Sequence, residues 1–231
     1  IRCHTKTLVL LGKPEDVSNI SRKLMDYGLS NVRIYIGADL KQPDEQIVSG
    51  NPADFLHRTF SALSLLYIEN PNAEPLPVTY GLPDDAFIRG KVPMTKSEIR
   101  SIVLSKLKLT KNAILFDIGA GTGSIAIEAA RQIPDGRVYA IERNPDGLDL
   151  IKENSLKLQA DNLTIVSGTA PECLDTLPAA THAFIGGSAG HLKEIMQLLY
   201  SRNPEIRIVI TAITLETISQ IMTLQKEMSL P

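Results

Sequence analysis

An aspartate and three glycines, each two positions apart, follow a run of apolar residues and precede a helical pattern. In "DIGAGTGS", Asp117 is followed by Gly119, Gly121 and Gly123. Glycines at a strand-to-helix turn let a ligand approach the backbone where a Cβ would obstruct it. The dinucleotide fingerprint G-x-G-x-x-G/A fits imperfectly, because its third small residue would fall at Ser124. We therefore consider ligands other than a dinucleotide.

The carboxylate of Asp117 favours a cationic ligand at this turn. A helix N-terminus is already an anion site, and a carboxylate beside it would repel a pyrophosphate at close range. S-adenosylmethionine carries an ammonium group, a sulfonium and a ribosyl adenine, so the same carboxylate would attract it. We expect the turn, with Ala120 and Thr122 between its glycines, to bind this cofactor.

Two further strand ends support the same ligand. Glu142 ends the next predicted strand, where an acidic residue can accept hydrogen bonds from both ribose hydroxyls. In "SGTAPE", the strand after that ends in a tight turn, which would bring the Thr169 side chain and the Ala170 amide to the edge of the adenine. The ordered spacing of the three strand ends makes a shared cofactor site the preferred interpretation.

Apolar runs alternate with helical patterns along the chain, which predicts an α/β fold. In the C-terminal two thirds the runs are apolar at consecutive positions, as in parallel strands covered on both faces. The predicted strands there are 114–118, 138–142, 163–167, 183–186 and 206–211. A capping box, Thr95 and Glu98, predicts the start of a helix before the first of these strands. The apolar stripe expected on this helix is Ile99, Ile102, Val103 and Leu107.

The N-terminal third reads as a separate domain. Its predicted strands are 7–11, 32–36 and 65–68, and a helical stripe runs from Val17 to a stop at Gly28. Residues 70–83 are dense in proline and predict a linker. The predicted division is a first domain over 1–69, the linker, and a second domain over 84–231.

Composition excludes several classes of protein. The net charge is −2, aromatic residues are 5 % and tryptophan is absent, so no broad basic, aromatic surface for nucleic acid is expected. The two cysteines show no metal-ligand spacing, and we expect no metal site. No segment has the length and apolarity of a membrane span and no signal peptide is evident, so the cytoplasm is the expected location.

The motifs carry a family resemblance. "GLPDDAFIRGKVPMTKSEIRSIVLSKL", "DIGAGTGSIAIEAA", "GTAPE" and "FIGGSAG" resemble the decarboxylating precorrin methyltransferases of cobalamin biosynthesis, within the class I methyltransferase superfamily. The likeness covers residues 81 to about 217. Upstream, "GKPEDVSNISRKLMDYGL" and "DEQIVSGNPADF" are similar to the C-terminal half of a precorrin carbon-5 methyltransferase domain. Together they resemble the family that methylates carbons 5 and 15 of precorrin-6Y.

The resemblance implies a Rossmann-like class I domain with a mainly parallel sheet, preceded by a partial α/β domain of the tetrapyrrole methylase type. It implies methylation at carbon 15 of a tetrapyrrole and decarboxylation of the ring C acetate. Stand-alone relatives form tetramers, so a homo-oligomer is expected. It also implies that the upstream half of the first domain and a final antiparallel hairpin are missing, and that this chain alone does not methylate carbon 5.

By the same resemblance, Thr95 and the turn from Gly119 to Gly123 would hold the methionine part, Glu142 the ribose and Ala170 the adenine edge. Thr169 departs from the aspartate often found at its position, which bears on how the adenine amino group is read. No catalytic base is nominated, because methyl transfer can be accelerated largely by positioning.

Substrate residues are expected on both sides of the cofactor motif. A basic cluster precedes it, and some of its members would pair with substrate carboxylates, Arg89 and Lys96 in particular. The cluster consists of Arg89, Lys91, Lys96 and Arg100. Beyond it, the turn Gly186, Gly187 and Ser188 would let a flat ring lie against the backbone. The flanking His182 and His191 are interpreted as structural.

Other functions remain open at this stage. A class I methyltransferase acting on RNA, protein or another small molecule would share the cofactor motif. Adenine amino-methyltransferases carry Asn or Asp before Pro-Pro and an aromatic residue after the fourth strand, where this chain has "IGGSAG". A non-catalytic cofactor-binding or scaffold protein is the alternative from a different class.

Overall fold

A computed structural model describes residues 1–73 and 81–228. The chain divides into two compact units, Ile1–Pro77 and Val78–Pro231. Most of the predicted linker, residues 74–80, lies outside the described residues. No helix in the described ranges is long and apolar enough to cross a membrane.

The N-terminal unit is a four-stranded antiparallel sheet with one α-helix. Its strands are arranged in the order β1-β4-β2-β3, and α1 and the inward face of the sheet share a core with Phe55 and Phe60. Its elements are β1 (Lys6–Leu10), α1 (Asp16–Asp26), β2 (Arg33–Ala38), β3 (Gln46–Gly50) and β4 (Ser64–Glu69).

The predicted alternation of strands and helices is wrong in this unit, since β2, β3 and β4 follow one another without an α-helix. Strand β3 was not predicted. It lies at the edge of the sheet, and only Val48 and Gly50 face the core, while Ile47 is largely exposed. A short edge strand with so few inward residues carries a weak hydrophobic pattern.

The second unit is a parallel sheet with helices on both faces, as predicted. The strand order is β7-β6-β5-β8-β9, and every neighbouring pair is parallel. Its helices are α2 (Ser97–Leu107), α3 (Ser124–Gln132), α4 (Pro145–Lys157), α5 (Leu192–Arg202) and α6 (Leu215–Glu227). Its strands are β5 (Ile114–Ile118), β6 (Arg137–Glu142), β7 (Leu163–Ser167), β8 (His182–Ile185) and β9 (Arg207–Ile210).

Two hydrophobic clusters cover the two faces of this sheet. One contains residues of α2, α3 and α4, and the other contains residues of α5 and α6. The chain runs outward from β5 through β6 to β7 and then returns to β8 on the other side of β5. The carboxyl ends of β5 and β8 therefore form the topological switch point, where ligands bind in open parallel sheets.

The start of α2 differs from the prediction. Its N-cap is Lys96, and no side chain of the predicted capping box caps it. The backbone amide of Ser97 donates instead to Asp84 Oδ1 at 3.0 Å, so the helix is capped from outside. The predicted stripe is also partly wrong, because Ile99 and Ile102 are exposed. The buried face is Arg100, Val103, Leu104 and Leu107.

Candidate cofactor site

A cleft of about 140 Å³ opens at the carboxyl edge of the sheet, next to the switch point. It brings together residues from the ends of four strands, among them the predicted Gly119, Glu142, Thr169 and Ala170 and the predicted Gly187 and Ser188. The remaining lining residues are Ile118, Ile141, Arg143, Gly168 and Ala189. Segments far apart in sequence thus form one concave surface.

Backbone angles and steric contacts explain why glycine occupies three positions of the turn. Gly119, Gly121 and Gly123 all have positive φ angles, of 76°, 58° and 77°. A Cβ on Gly119 would lie 2.8 Å from the backbone nitrogen and oxygen of Gly187, so the turns after β5 and β8 touch through backbone alone. A Cβ on Gly187 would meet no atom of the described residues within 4 Å, which leaves this side of the cleft open.

Asp117 lies beneath the turn and is not among the residues that line the cleft. Its side chain is 1 % exposed, and Oδ2 accepts a hydrogen bond from the amide of Ala126 in the first turn of α3 at 2.9 Å. Oδ1 is buried and has no hydrogen-bond partner among the described residues. Burial, aided by the charge of Glu142 and opposed by the Ala126 amide, raises the pKa of Asp117 to about 7.

Glu142 is the carboxylate at the wall of the cleft. Its Oε2 accepts from the amide of Gly121 at 2.7 Å, and its Oε1 accepts from the amides of Arg143 and Asn144 at 2.9 and 2.8 Å. A carboxylate has about four acceptor positions. Glu142 therefore fixes the glycine turn and keeps acceptor capacity on Oε2 for a ligand hydroxyl.

Four amides of the turn donate within the protein. Gly119 and Ala120 both donate to the carbonyl of Ile141 at 3.0 Å, and Gly123 donates to Ala120. Asp117 and Glu142 take two further amides. A pyrophosphate binds to free amides at a helix N-terminus, and here a carboxylate already lies at that position. With these amides occupied, the carboxylate acceptors at the turn fit the ribose hydroxyl and ammonium groups of S-adenosylmethionine better than a diphosphate.

Thr122 and Gly147 complete the surroundings of the turn. The Thr122 hydroxyl is buried and has no hydrogen-bond partner in the part of the chain that the structure describes. A Cβ on Gly147, in the first turn of α4, would lie 2.8 Å from Glu142 Cγ and 3.0 Å from the carbonyl of Gly121. Sequence reasoning missed Gly147, and its only signal is a glycine in the first turn of α4, since glycine is unfavourable within helices.

The segment before α2 lies against the turn. A Cβ on Gly121 would be 2.8 Å from the carbonyl oxygen of Pro93, so this segment and the turn are in direct contact. Asn154 joins them on the α4 side, because its amide binds both backbone groups of Ile88 and donates to the carbonyl of Thr122 at 3.2 Å. Thr95 is half-buried in this segment, and its carbonyl accepts from Arg100.

Arg100 does not serve as a surface cation for substrate. Its side chain is 0 % exposed, it bonds Glu128 Oε1 at 2.7 Å and Asp84 Oδ1 at 2.8 Å, and it also donates to the carbonyl of Leu82. Its guanidinium lies 4.8 Å from the ring centre of Phe87. The prediction that placed Arg100 in an exposed basic cluster is wrong, because a buried guanidinium needs the two carboxylates that tertiary contacts supply.

The other predicted substrate residues and the flanking His182 differ in exposure and in their position relative to the cleft. Arg89 and Lys96 are exposed, and each lies 3.3 Å from Asp84 Oδ2. Gly186 is not among the residues that line the cleft, and a Cβ there would meet the ring of Phe184 at 2.9 Å. His182 is buried at the amino end of β8, away from the cleft, and burial lowers the pKa of its imidazole.

His191 is exposed at the N-cap of α5, and its amide donates to the carbonyl of Ser188. Within residues 1–73 and 81–228, no group of three or more His, Cys, Asp or Glu side chains is arranged to hold a metal ion.

Comparisons with known proteins match the second unit. A family profile described as "Precorrin methyltransferase domain" matches residues 85–229. A protein of Pyrobaculum calidifontis named probable cobalt-precorrin-6B C(15)-methyltransferase (decarboxylating) is 43 % identical over 143 residues, which are 61 % of this chain and 73 % of that protein.

Solved structures agree in fold. The crystal structure of precorrin-6Y C5,15-methyltransferase from Geobacter metallireducens is 43 % identical with a TM-score of 0.62, covering 65 % of this chain and 81 % of the other. A SAM-dependent O-methyltransferase from Thermotoga maritima, at 14 % identity and a TM-score of 0.53, shares the fold alone and covers 88 % of this chain and 80 % of the other. The predicted class I methyltransferase fold is confirmed.

Proposed function

The chain belongs to the precorrin methyltransferase domain family, and from this membership we propose that it methylates carbon 15 of a precorrin-6 macrocycle and removes the carboxyl group of the ring C acetate. The methyl donor is S-adenosylmethionine, and the reaction is a step of cobalamin biosynthesis. The family resemblance inferred from residues 81–107 and the later glycine-rich motifs is confirmed by these relatives.

One observation carries the proposal. The cleft at the switch point joins the glycine turn, Glu142 and the Thr169–Ala170 turn on one side to Gly187 and Ser188 on the other. The first group suits a nucleoside with an amino-acid tail, and the second presents open backbone to an acceptor. A methyl donor and a large flat acceptor both need such adjacent surfaces.

The chain's own residues have distinct roles in this proposal. Glu142 would accept a hydrogen bond from a ribose hydroxyl through Oε2, and Thr169 and Ala170 would border the adenine. Asp117 would attract the ammonium group electrostatically from beneath the turn, where its buried Oδ1 has no hydrogen-bond partner among the described residues. Thr95 and the turn from Gly119 to Gly123 would contact the methionine part. When bound, S-adenosylmethionine supplies an electrophilic methyl group.

The acceptor would be held by charge and by open backbone. A precorrin carries several carboxylates, and Arg89 and Lys96 are exposed cations on the segment that contacts Gly121. Gly187 and Ser188 would lie against the ring. Because Glu142, a carboxylate that lines the cleft, is assigned to the ribose, we attribute acceleration to alignment of the acceptor carbon with the methyl group.

Three further assignments remain our predictions. Residues 1–69 are assigned to the C-terminal part of a carbon-5 methylase domain of the tetrapyrrole methylase type. A tetramer is the expected assembly, and the cytoplasm is the expected location.

The direct test is a methyl-transfer assay. The chain is incubated with radiolabelled S-adenosylmethionine and either metal-free or cobalt-containing precorrin-6B, and the products are analysed by mass spectrometry. We expect a product that has gained one methyl group and lost one carbon dioxide. RNA and protein acceptors are assayed in parallel, and label transfer to either of them with none to the precorrins would refute the proposal.

A further inference from the structure

The two carboxylate oxygens of Asp84 contact different partners. Its Oδ1 points inward, where it accepts from Arg100 Nη1 at 2.8 Å and from the Ser97 amide at 3.0 Å. Its Oδ2 lies 3.3 Å from both Arg89 Nη2 and Lys96 Nζ. A single carboxylate therefore joins a buried anchor to two exposed cations.

The inward side of Asp84 is rigid. Arg100 is 0 % exposed and is held in turn by Glu128, whose carboxylate also accepts from the amides of Gly81 and Leu82 at 2.8 and 3.1 Å. The hydrogen bonds from Arg100, with the nearby charge of Lys96, hold the pKa of Asp84 below its ordinary value, so the group is a carboxylate at neutral pH.

The outward side retains positive charge. The side chains of Arg89 and Lys96 are 47 % and 60 % exposed, and they share one carboxylate oxygen that cannot neutralise both. Exposed ion pairs contribute little to stability because ordering two long side chains costs entropy. The two pairs therefore add little to stability, and the two cations that share Asp84 Oδ2 retain positive charge that can attract a further anion.

The position of the cations connects them to the site. They lie at the two ends of residues 90–95, and within that stretch the carbonyl of Pro93 is in contact with Gly121 of the cofactor turn. Arg89 is held twice, since its Nε also donates to the backbone carbonyl of Asp84 at 3.3 Å.

We infer that Asp84 is a positioning residue, which holds the guanidinium of Arg89 and the ammonium of Lys96 as a preorganised receptor for the carboxylates of an anionic acceptor. This inference rests on the proposed function, because it assigns the acceptor side of the same site. It concerns the geometry of the two cations rather than the total charge around them.

The direction in which Asp84→Asn changes acceptor affinity distinguishes positioning of the two cations from attraction by net charge. Asp84→Asn makes the segment more positive, so attraction of an anion by net charge alone would become stronger. If Asp84 positions the cations, the same substitution weakens acceptor binding. We expect the KM for precorrin-6B, and the Kd for the polycarboxylated tetrapyrrole uroporphyrin, to rise about five- to tenfold, while the Kd for S-adenosylhomocysteine changes less than about twofold.

Asp135→Asn is the matched control. Asp135 forms an exposed ion pair with Lys111 at 3.0 Å, outside this segment, so its replacement removes the same charge and one surface pair. We expect no change in either affinity. Asp84→Glu keeps the charge beside Arg100 but displaces the outward oxygen, and acceptor affinity should fall in this variant even if the Asn variant folds poorly.

A mutant cycle tests whether Asp84 acts through its two partners. In a background that carries both Arg89→Met and Lys96→Met, Asp84→Asn should lose most of its effect on acceptor affinity, because both cations that it positions are gone. Tighter or unchanged acceptor binding in Asp84→Asn, or equal losses for acceptor and S-adenosylhomocysteine, would overturn the inference. Failure of the proposed function would look different, since the unsubstituted chain would then methylate no precorrin.

Discussion

Two carboxylates near the cleft differ in environment and therefore in task. Glu142 accepts three backbone amides and lines the cleft, whereas Asp117 is buried, accepts one amide and has an oxygen without a partner among the described residues. Hydrogen bonds from amides favour the charged form of a carboxyl group, and burial disfavours it. At the level of single residues, Glu142 is held in place by the amides that donate to it, and Asp117 changes its charge near neutral pH.

Glu142→Gln tests the hydrogen bonds that the Glu142 carboxylate accepts. The glutamine amide nitrogen cannot accept a hydrogen bond, so the variant loses either the Gly121 amide or the pair from Arg143 and Asn144. We expect the affinity for S-adenosylhomocysteine, measured by isothermal titration calorimetry, to fall about 10- to 100-fold. Glu205→Gln, an exposed acid before β9, serves as the control. Unchanged affinity in the Glu142 variant would exclude the proposed role.

Asp117→Asn tests the titrating group. Because the folded pKa is raised, the native state binds a proton that the unfolded state releases, so the free energy of unfolding falls as the pH rises from about 4 to about 7. The asparagine variant should lack this component. Urea unfolding of both proteins between about pH 5 and about pH 8 measures the difference, which should grow toward acid and level off above about pH 7. If the free energies of unfolding of the two proteins changed equally with pH, the raised pKa of Asp117 would be contradicted.

Among the structural elements, the turns after β5 and β8 form the site by direct backbone contact. Gly119 packs on Gly187, and both Gly186 and Gly187 donate to the carbonyl of Ile118. The segment before α2 adds a third surface, which Asn154 and the buried Arg100 hold in place. The site is thus made by elements whose mutual distance depends on glycine at particular positions.

Gly119→Ala and Gly187→Ala form a matched pair for this contact. The first Cβ would lie 2.8 Å from backbone atoms at a φ of 76°, and the second would meet nothing within 4 Å. We expect Gly119→Ala to lower the free energy of unfolding by about 1–3 kcal/mol and to abolish most cofactor binding. Gly187→Ala should keep near-native stability in the same urea titration. Equal stability of the two variants would disprove the steric explanation.

At the scale of the whole chain, the site depends on the order in which the chain forms the strands of the second unit. Its sheet runs from β5 to β7 and returns to β8, so loops separated by long stretches of sequence end at one edge. The N-terminal unit has its own hydrophobic core and an antiparallel sheet. A ligand at the switch point should therefore protect several distant segments of the second unit at once.

Hydrogen exchange with and without S-adenosylhomocysteine tests this arrangement. We expect added protection in residues 117–123, 142–147, 168–170 and 187–189, because all four contribute to the cleft or its turn. Residues 203–206 lie before β9, at the opposite edge of the same sheet, and serve as an internal reference. Protection confined to the glycine turn would contradict a shared site.

Much of the second unit could be predicted from local patterns. Parallel strands between two helix layers carry mostly apolar residues, and the predicted bounds of β5 and β7 are those that the structure has. The edge strand β3 was missed, since few of its residues face the core. The cap of α2 was predicted wrongly, because the acceptor for its first amide, Asp84, is supplied from outside the helix.

The sequence by itself determined the class of fold, because hydrophobic period and glycine spacing are local properties of the chain, and its motifs carried the family resemblance. Only the tertiary structure decided that Arg100 is buried between Asp84 and Glu128, that Asp117 lies beneath the turn, and that Gly147 packs on Glu142. Burial and ion pairing depend on contacts between residues distant in sequence, and such contacts exist only once the chain has folded.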